Sequence, residues 1–166
     1  IISALNDKNP DLRERAINFL EKLPSEHQSR AKSILIDLAK NDVKSSVRAL
    51  AIETLSANYS GEDFTLIYRN GVNDRSFAVA GTSLSALARS NEKEAMAIAK
   101  QFETEKSLDM LLAVAQIYGT YGSDANNAFF VGLSPKMSGW ENISFANTYT
   151  EFLKRCSDDT INAGIK

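Results

Sequence analysis

The sequence predicts an all-α protein, an α–α superhelix of antiparallel helix pairs, on three observations. One helix-face pattern recurs along the chain. A second set of amphipathic segments lies between its copies. No segment alternates apolar and polar residues as a half-buried strand does.

Asp7-Lys8-Asn9-Pro10-Asp11-Leu12-Arg13, Asp42-Val43-Lys44-Ser45-Ser46-Val47-Arg48 and Asp74-Arg75-Ser76-Phe77-Ala78-Val79-Ala80 align without gaps. With Leu12, Val47 and Val79 as equivalents, Ala16 maps onto Ala51 and Ser83, Ile17 onto Ile52 and Leu84, and Leu20 onto Leu55 and Leu87. Positions i, i+4, i+5 and i+8 form one face of an α-helix. The small residue at i+4 lets a neighbouring helix come close. Met110, Val114, Ala115 and Tyr118 give a fourth, weaker copy.

The second set is Ala31, Ile34, Leu35 and Leu38, then Phe64, Ile67 and Tyr68, then Ala95, Ile98, Ala99 and Phe102. Each unit is therefore two amphipathic helices, neither of which can bury its apolar face alone. Stacked pairs share a continuous core.

Punctuation fits this scheme. Asn9-Pro10 reads as an N-cap followed by a first-turn proline. Leu23-Pro24 closes the first helix. Ser25 with Gln28, and Asn91 with Glu94, read as capping boxes, and Asp42 and Ser60 as further N-caps. Gly71, Gly119 and Gly122 are expected at helix ends. Phe129–Leu133 is the best strand candidate but reads as a short helix stopped by Pro135. A loop over Lys136–Asn142 leads to a helix around Phe145–Arg155, with Phe145, Tyr149, Phe152 and Leu153 on one face. Asp158-Asp159 opens a further helix, where acidic residues favour the dipole. No linker divides the chain, so residues 1–166 are expected to form a single α-helical domain, a fragment of a longer polypeptide.

The chain has 19 basic and 21 acidic residues, a net charge of −2, and 43% apolar residues, as in an ordinary globular protein. That balance argues against a nucleic-acid binder, and no apolar run is long enough for a membrane span. A single histidine, His27, and a single cysteine, Cys156, far apart in sequence, leave no set of ligands for a zinc module. Cys156 has Lys154 and Arg155 as neighbours, yet adjacent helical residues point in different directions, so it reads as a bystander. Ser123-Asp124-Ala125-Asn126-Asn127 lacks the glutamate that closes a calcium loop. Asn58-Tyr59-Ser60 and Asn142-Ile143-Ser144 match glycosylation acceptors, triplets that are common by chance. No metal, cofactor or catalytic residue is expected. The expected structural ladder comprises Asp7, Arg13, Asp42, Arg48, Asp74 and Arg75, with each arginine bonding a neighbouring aspartate. A phosphate-gripping role for the same arginines is the competing reading. Trp140 is the candidate interface residue, either docking on a neighbour or capping the chain's own core.

The run Asn9-Pro10-Asp11-Leu12-Arg13 with Ala16-Ile17 and Leu20 resembles the HEAT-repeat pattern, as does Asp42…Val47-Arg48…Ala51-Ile52…Leu55. The third unit has Ala80 where arginine is usual, and the fourth lacks both aspartate and arginine. A narrower resemblance rests on Asp74-Arg75-Ser76-Phe77, Ile117-Tyr118-Gly119, Phe129-Phe130 and Tyr149-Thr150-Glu151-Phe152-Leu153. These look like the C-terminal helical region of bacterial M1-family zinc aminopeptidases. That resemblance implies a helical domain packed beside a zinc-bearing catalytic domain, limiting peptide access. The family's H-E-x-x-H motif is absent, since His27 is followed by Gln28-Ser29-Arg30-Ala31, so no catalytic residue carries over. The expected role is a non-catalytic scaffold. Its partners would be its own upstream catalytic domain or another protein, and the parent enzyme's peptide substrate, with no nucleic acid or membrane. A stand-alone HEAT-type adaptor is the alternative.

Overall fold

The structure, a computed structural model, describes residues 1–22, 24–59 and 63–164. Among these residues the chain is all-α, with ten α-helices, four short 3-10 segments and no strand. They gather into two compact units, Ile1–Ser90 and Asn91–Lys166.

The first unit holds α1 (Pro10–Asn18), α2 (Ser25–Asn41), α3 (Ser45–Asn58), α4 (Thr65–Gly71) and α5 (Phe77–Ser90). In one layer α3 packs against both α1 and α5; α2 lies on α3, and α4 on α5. The repeated face is the seam between layers. Ala16, Ile17 and Leu20, then Ala51, Ile52 and Leu55, then Ser83, Leu84 and Leu87 are all buried. So are Ala31, Leu35, Leu38, Phe64, Ile67 and Tyr68, while Ile34 is half-buried. Each large aliphatic side chain removed from water contributes about 1.5–3 kcal/mol.

Leu12 breaks the pattern. It is 42% exposed, against 0% for Val47 and 1% for Val79. Its register is the same, but α1 has no earlier helix of its layer to pack on among the described residues.

Gly71 ends α4 and lies against α5. A methyl group there would overlap the Ser83 hydroxyl, whose Oγ is buried and unpaired among the described residues. The small residue at this repeat position lets the two helices close.

The second unit is built around α7 (Leu108–Tyr121), which packs on α6 (Glu92–Gln101), α8 (Asn127–Leu133) and α9 (Gly139–Leu153); α10 (Asp158–Gly164) lies on α8 and α9. Met110, Val114, Ala115 and Tyr118 are buried. The core changes here from aliphatic to aromatic. The Phe130 ring stacks on Tyr149 at 4.8 Å between centroids and meets Phe152 at 4.5 Å and Phe145 at 5.9 Å. Such pairs add about 0.5–1.5 kcal/mol beyond the area they bury.

Several local expectations need correction. Asp42 is not the N-cap of α3. It ends α2, and Lys44 occupies the N-cap, because the Asp42 carboxylate turns the connection by accepting the Lys44 N–H at 2.8 Å. Ser25 stands inside α2 rather than ahead of it, since His27 N–H closes the first turn on the Pro24 carbonyl. Gly119 lies within α7, where a methyl group would press on Thr148 of α9; only Gly122 caps that helix. Nor does a loop span Lys136–Asn142. A 3-10 turn over Ser134–Lys136 runs almost directly into α9, which places Trp140 in a first helical turn. Ser60, both the remaining cap candidate and the serine of the Asn58 triplet, lies outside the described residues, as does Leu23. The Asn91 cap is present, with its side chain accepting the Glu94 N–H at 3.3 Å and donating to the Glu94 carboxylate at 2.8 Å.

Candidate interaction surface

The ladder residues start from the helix openings. Asn9 caps α1 by accepting the Asp11 N–H, and Pro10 supplies the preset first turn. This places Arg13 one turn into α1, facing the connection after α2. Its Nε and Nη2 donate to the two Asp42 carboxylate oxygens, both at 2.7 Å, and its Nη1 donates to the Asp7 carbonyl at 2.7 Å. Arg48 repeats the arrangement one pair later. Nε and Nη2 reach the Asp74 carboxylate at 2.8 Å, and Nη1 reaches the Asp42 carbonyl at 2.8 Å. Each arginine thus ties its own incoming connection to the next one.

Each aspartate also holds the backbone of its turn. Asp42 accepts from Lys44 N–H and Asp74 from Ser76 N–H, both at 2.8 Å. The Arg13–Asp42 side chains are 9% and 3% exposed, and those of Arg48–Asp74 17% each. Burial tends to raise the Asp74 carboxyl pKa, but the Arg48 hydrogen bond, the Ser76 N–H and the charges of Arg48 and Arg75 outweigh it and hold the group below the usual carboxylate range. The forked edge that would grip a phosphate is occupied in both arginines.

Arg75 does not join the rungs. It is exposed, and the position where a third rung would begin is Ala80. Asp7 makes the same turn as its counterparts, accepting Asn9 N–H at 2.8 Å. Among the described residues no arginine reaches its carboxylate.

Elsewhere the chemistry is quiet. Trp140 is 87% exposed, and Ile143, one turn along α9, is exposed beside it. Cys156 donates to the Phe152 carbonyl at 3.4 Å, and burial, with Asp124 adding to it, pushes its thiol pKa up despite Arg155. His27 is half exposed beside Glu26. Among the described residues no three His, Cys, Asp or Glu side chains are grouped to hold a metal ion, and no helix is long and apolar enough to cross a membrane.

The second unit carries an open cleft of about 520 Å³, lined by Glu103, Leu111, Phe129, Leu133 and Lys136 among others. Its carboxylate is committed: the buried Tyr118 hydroxyl donates to Glu103 at 2.6 Å. Burial and then Glu103 push the Tyr118 pKa up, which keeps the phenol neutral. Sequence reasoning missed this pair, although a tyrosine at the i+8 position of an otherwise apolar face marks a buried hydroxyl in need of a partner. It also missed Arg155, which donates to the Gly119 and Tyr118 carbonyls near the end of α7.

The profile of the HEAT repeats family matches residues 1–56, about a third of the chain. Arg13, Asp42 and Arg48 fall inside it. No curated protein and no solved structure matches. HEAT repeats serve in general as non-enzymatic scaffolds and protein-interaction modules, and the all-α pairs of the first unit fit that architecture.

Proposed function

We propose that this chain is the C-terminal helical domain of an M1-like zinc aminopeptidase, packing on the catalytic domain and restricting which peptides reach the metal. The observation that carries the docking role is Trp140, an almost fully exposed indole next to exposed Ile143 on a helix whose other face is locked into an aromatic core. The peptidase identity rests on the likeness of Asp74-Arg75-Ser76-Phe77, Phe129-Phe130 and Tyr149–Leu153 to that family's tail. The chain's own part is steric, because its two ladder arginines are bound to its own carboxylates.

The sequence of the polypeptide ahead of residue 1 tests the identity. An H-E-x-x-H motif there is expected, and its absence would leave a stand-alone adaptor that binds another protein. Trp140→Ala tests the docking surface. In the intact polypeptide it should speed proteolytic separation of the helical domain from its neighbour at unchanged thermal stability of this chain alone. Assayed alone with aminoacyl p-nitroanilides and zinc, this chain should give no turnover above buffer.

A further inference from the structure

We infer that the edge of α1 formed by Asp7 and Leu12 is a docking surface for one more helix pair of the same kind, one that precedes it in the same polypeptide and presents an arginine to Asp7. The repeats alone support this surface, independently of the aminopeptidase reading. Asp7, Asp42 and Asp74 are equivalent positions, each preceded by asparagine. All three carboxylates fold their turn in one way, by accepting the N–H two residues on. Two of them also receive a forked guanidinium from the pair before. Asp7 has the same turn, and among the described residues no guanidinium reaches its carboxylate.

A second, apolar observation coincides with the first. Leu12 is 42% exposed, whereas its equivalents Val47 and Val79 are covered. The helices bearing those valines pack on α1 and α3, the helices of the preceding pairs. An occupant that covers Leu12 and pairs with Asp7 must bring an apolar helix face and an arginine in the register of the existing rungs. A second copy of this chain cannot continue the ladder from its other end, because Ala80 stands where the donor would be. Existing rungs span 29 and 26 residues of continuous chain, which places the missing arginine 26 to 29 residues ahead of Asp7.

Two measurements decide it. The first is a full chain with a duplicate of residues 7–41 inserted between Asn6 and Asp7, which reproduces the Asn41–Asp42 junction. A double-mutant cycle pairs Arg13→Ala in the inserted copy with Asp7→Asn in the original segment, read by urea midpoint. The Arg13–Asp42 cycle in the unmodified chain is the ruler. Equal coupling in the two cycles is expected, together with slowed amide exchange around Leu12. No coupling beside a measurable Arg13–Asp42 value, or an inserted segment that stays unstructured while the rest folds, overturns the inference. The second is the natural polypeptide's sequence, where no arginine 26 to 29 residues before Asp7 overturns it equally. An arginine there without a zinc motif would keep this inference and end the aminopeptidase reading.

Discussion

Asp42 carries two loads, the guanidinium of Arg13 and the N–H that turns the chain into α3. Asparagine at this position keeps the turn but removes the charge, leaving a nearly buried guanidinium unpaired. Breaking such a pair costs about 3–5 kcal/mol, so Asp42→Asn should lower the urea midpoint sharply. Asp7→Asn removes no rung and should cost about 1 kcal/mol or less. Equal losses in the two variants would show that the rungs do not stabilise the fold. Asp74, the acceptor of the second rung, contributes to the acid limit. Asp74 titrates lower in the folded chain than when unfolded, so its contribution is complete above the unfolded carboxyl value of about 3.9 and fades as pH falls through the lower folded value. Acid titration followed by circular dichroism should lose part of that limb in Asp74→Asn. Arg13 and Arg48 were legible because each follows an aspartate by six residues in aligned segments. Arg75 misled, because adjacency to Asp74 in sequence does not place it on the helix face that meets the next turn. The exposure of Leu12 was not legible either, since register fixes which face a residue takes and not whether a neighbour covers it.

At the scale of elements, the period-3.6 faces located the helices, and the errors fall at their ends. Asp42 has the chemistry of an N-cap, but its side chain bonds two residues on, so the helix starts later. Gly119 looked like a terminator. It is instead a contact point between α7 and α9, something only the tertiary partner discloses. The same logic makes the small residues of the seam intolerant. Ala51 is fully buried on α3, which packs on α1, α2 and α5. Ala51→Glu would place a carboxylate there without a partner, at a cost of several kcal/mol against a total stability of about 5–15 kcal/mol. It should abolish the cooperative thermal transition. An unchanged melting temperature would mean the seam is not closed at this position.

Across the whole chain, the repeat period made the all-α class readable, because every pair repeats the same unmet need for an apolar neighbour. The tail gave no such period. Its core depends on how Phe130, Phe145, Tyr149 and Phe152 converge from two helices, and spacing within one helix says nothing of that convergence. Phe130 is fully buried at the centre of this cluster. Phe130→Ala should cost about 3–5 kcal/mol and erase the near-ultraviolet circular dichroism signal of the packed rings; retention of that signal would put the cluster's weight elsewhere.

The placement of the rungs has a mechanical corollary for the first ninety residues. Both ion pairs join connections at one end of the helices. Towards the other end, α5 is tied to α3 by an exposed contact, Arg89 Nη1 donating to the Ser56 hydroxyl at 3.0 Å, in place of a buried forked pair. The stack resembles a book with a stitched spine: pulling the pages apart opens the fore-edge first, and any flexing during assembly pivots about the stitched side.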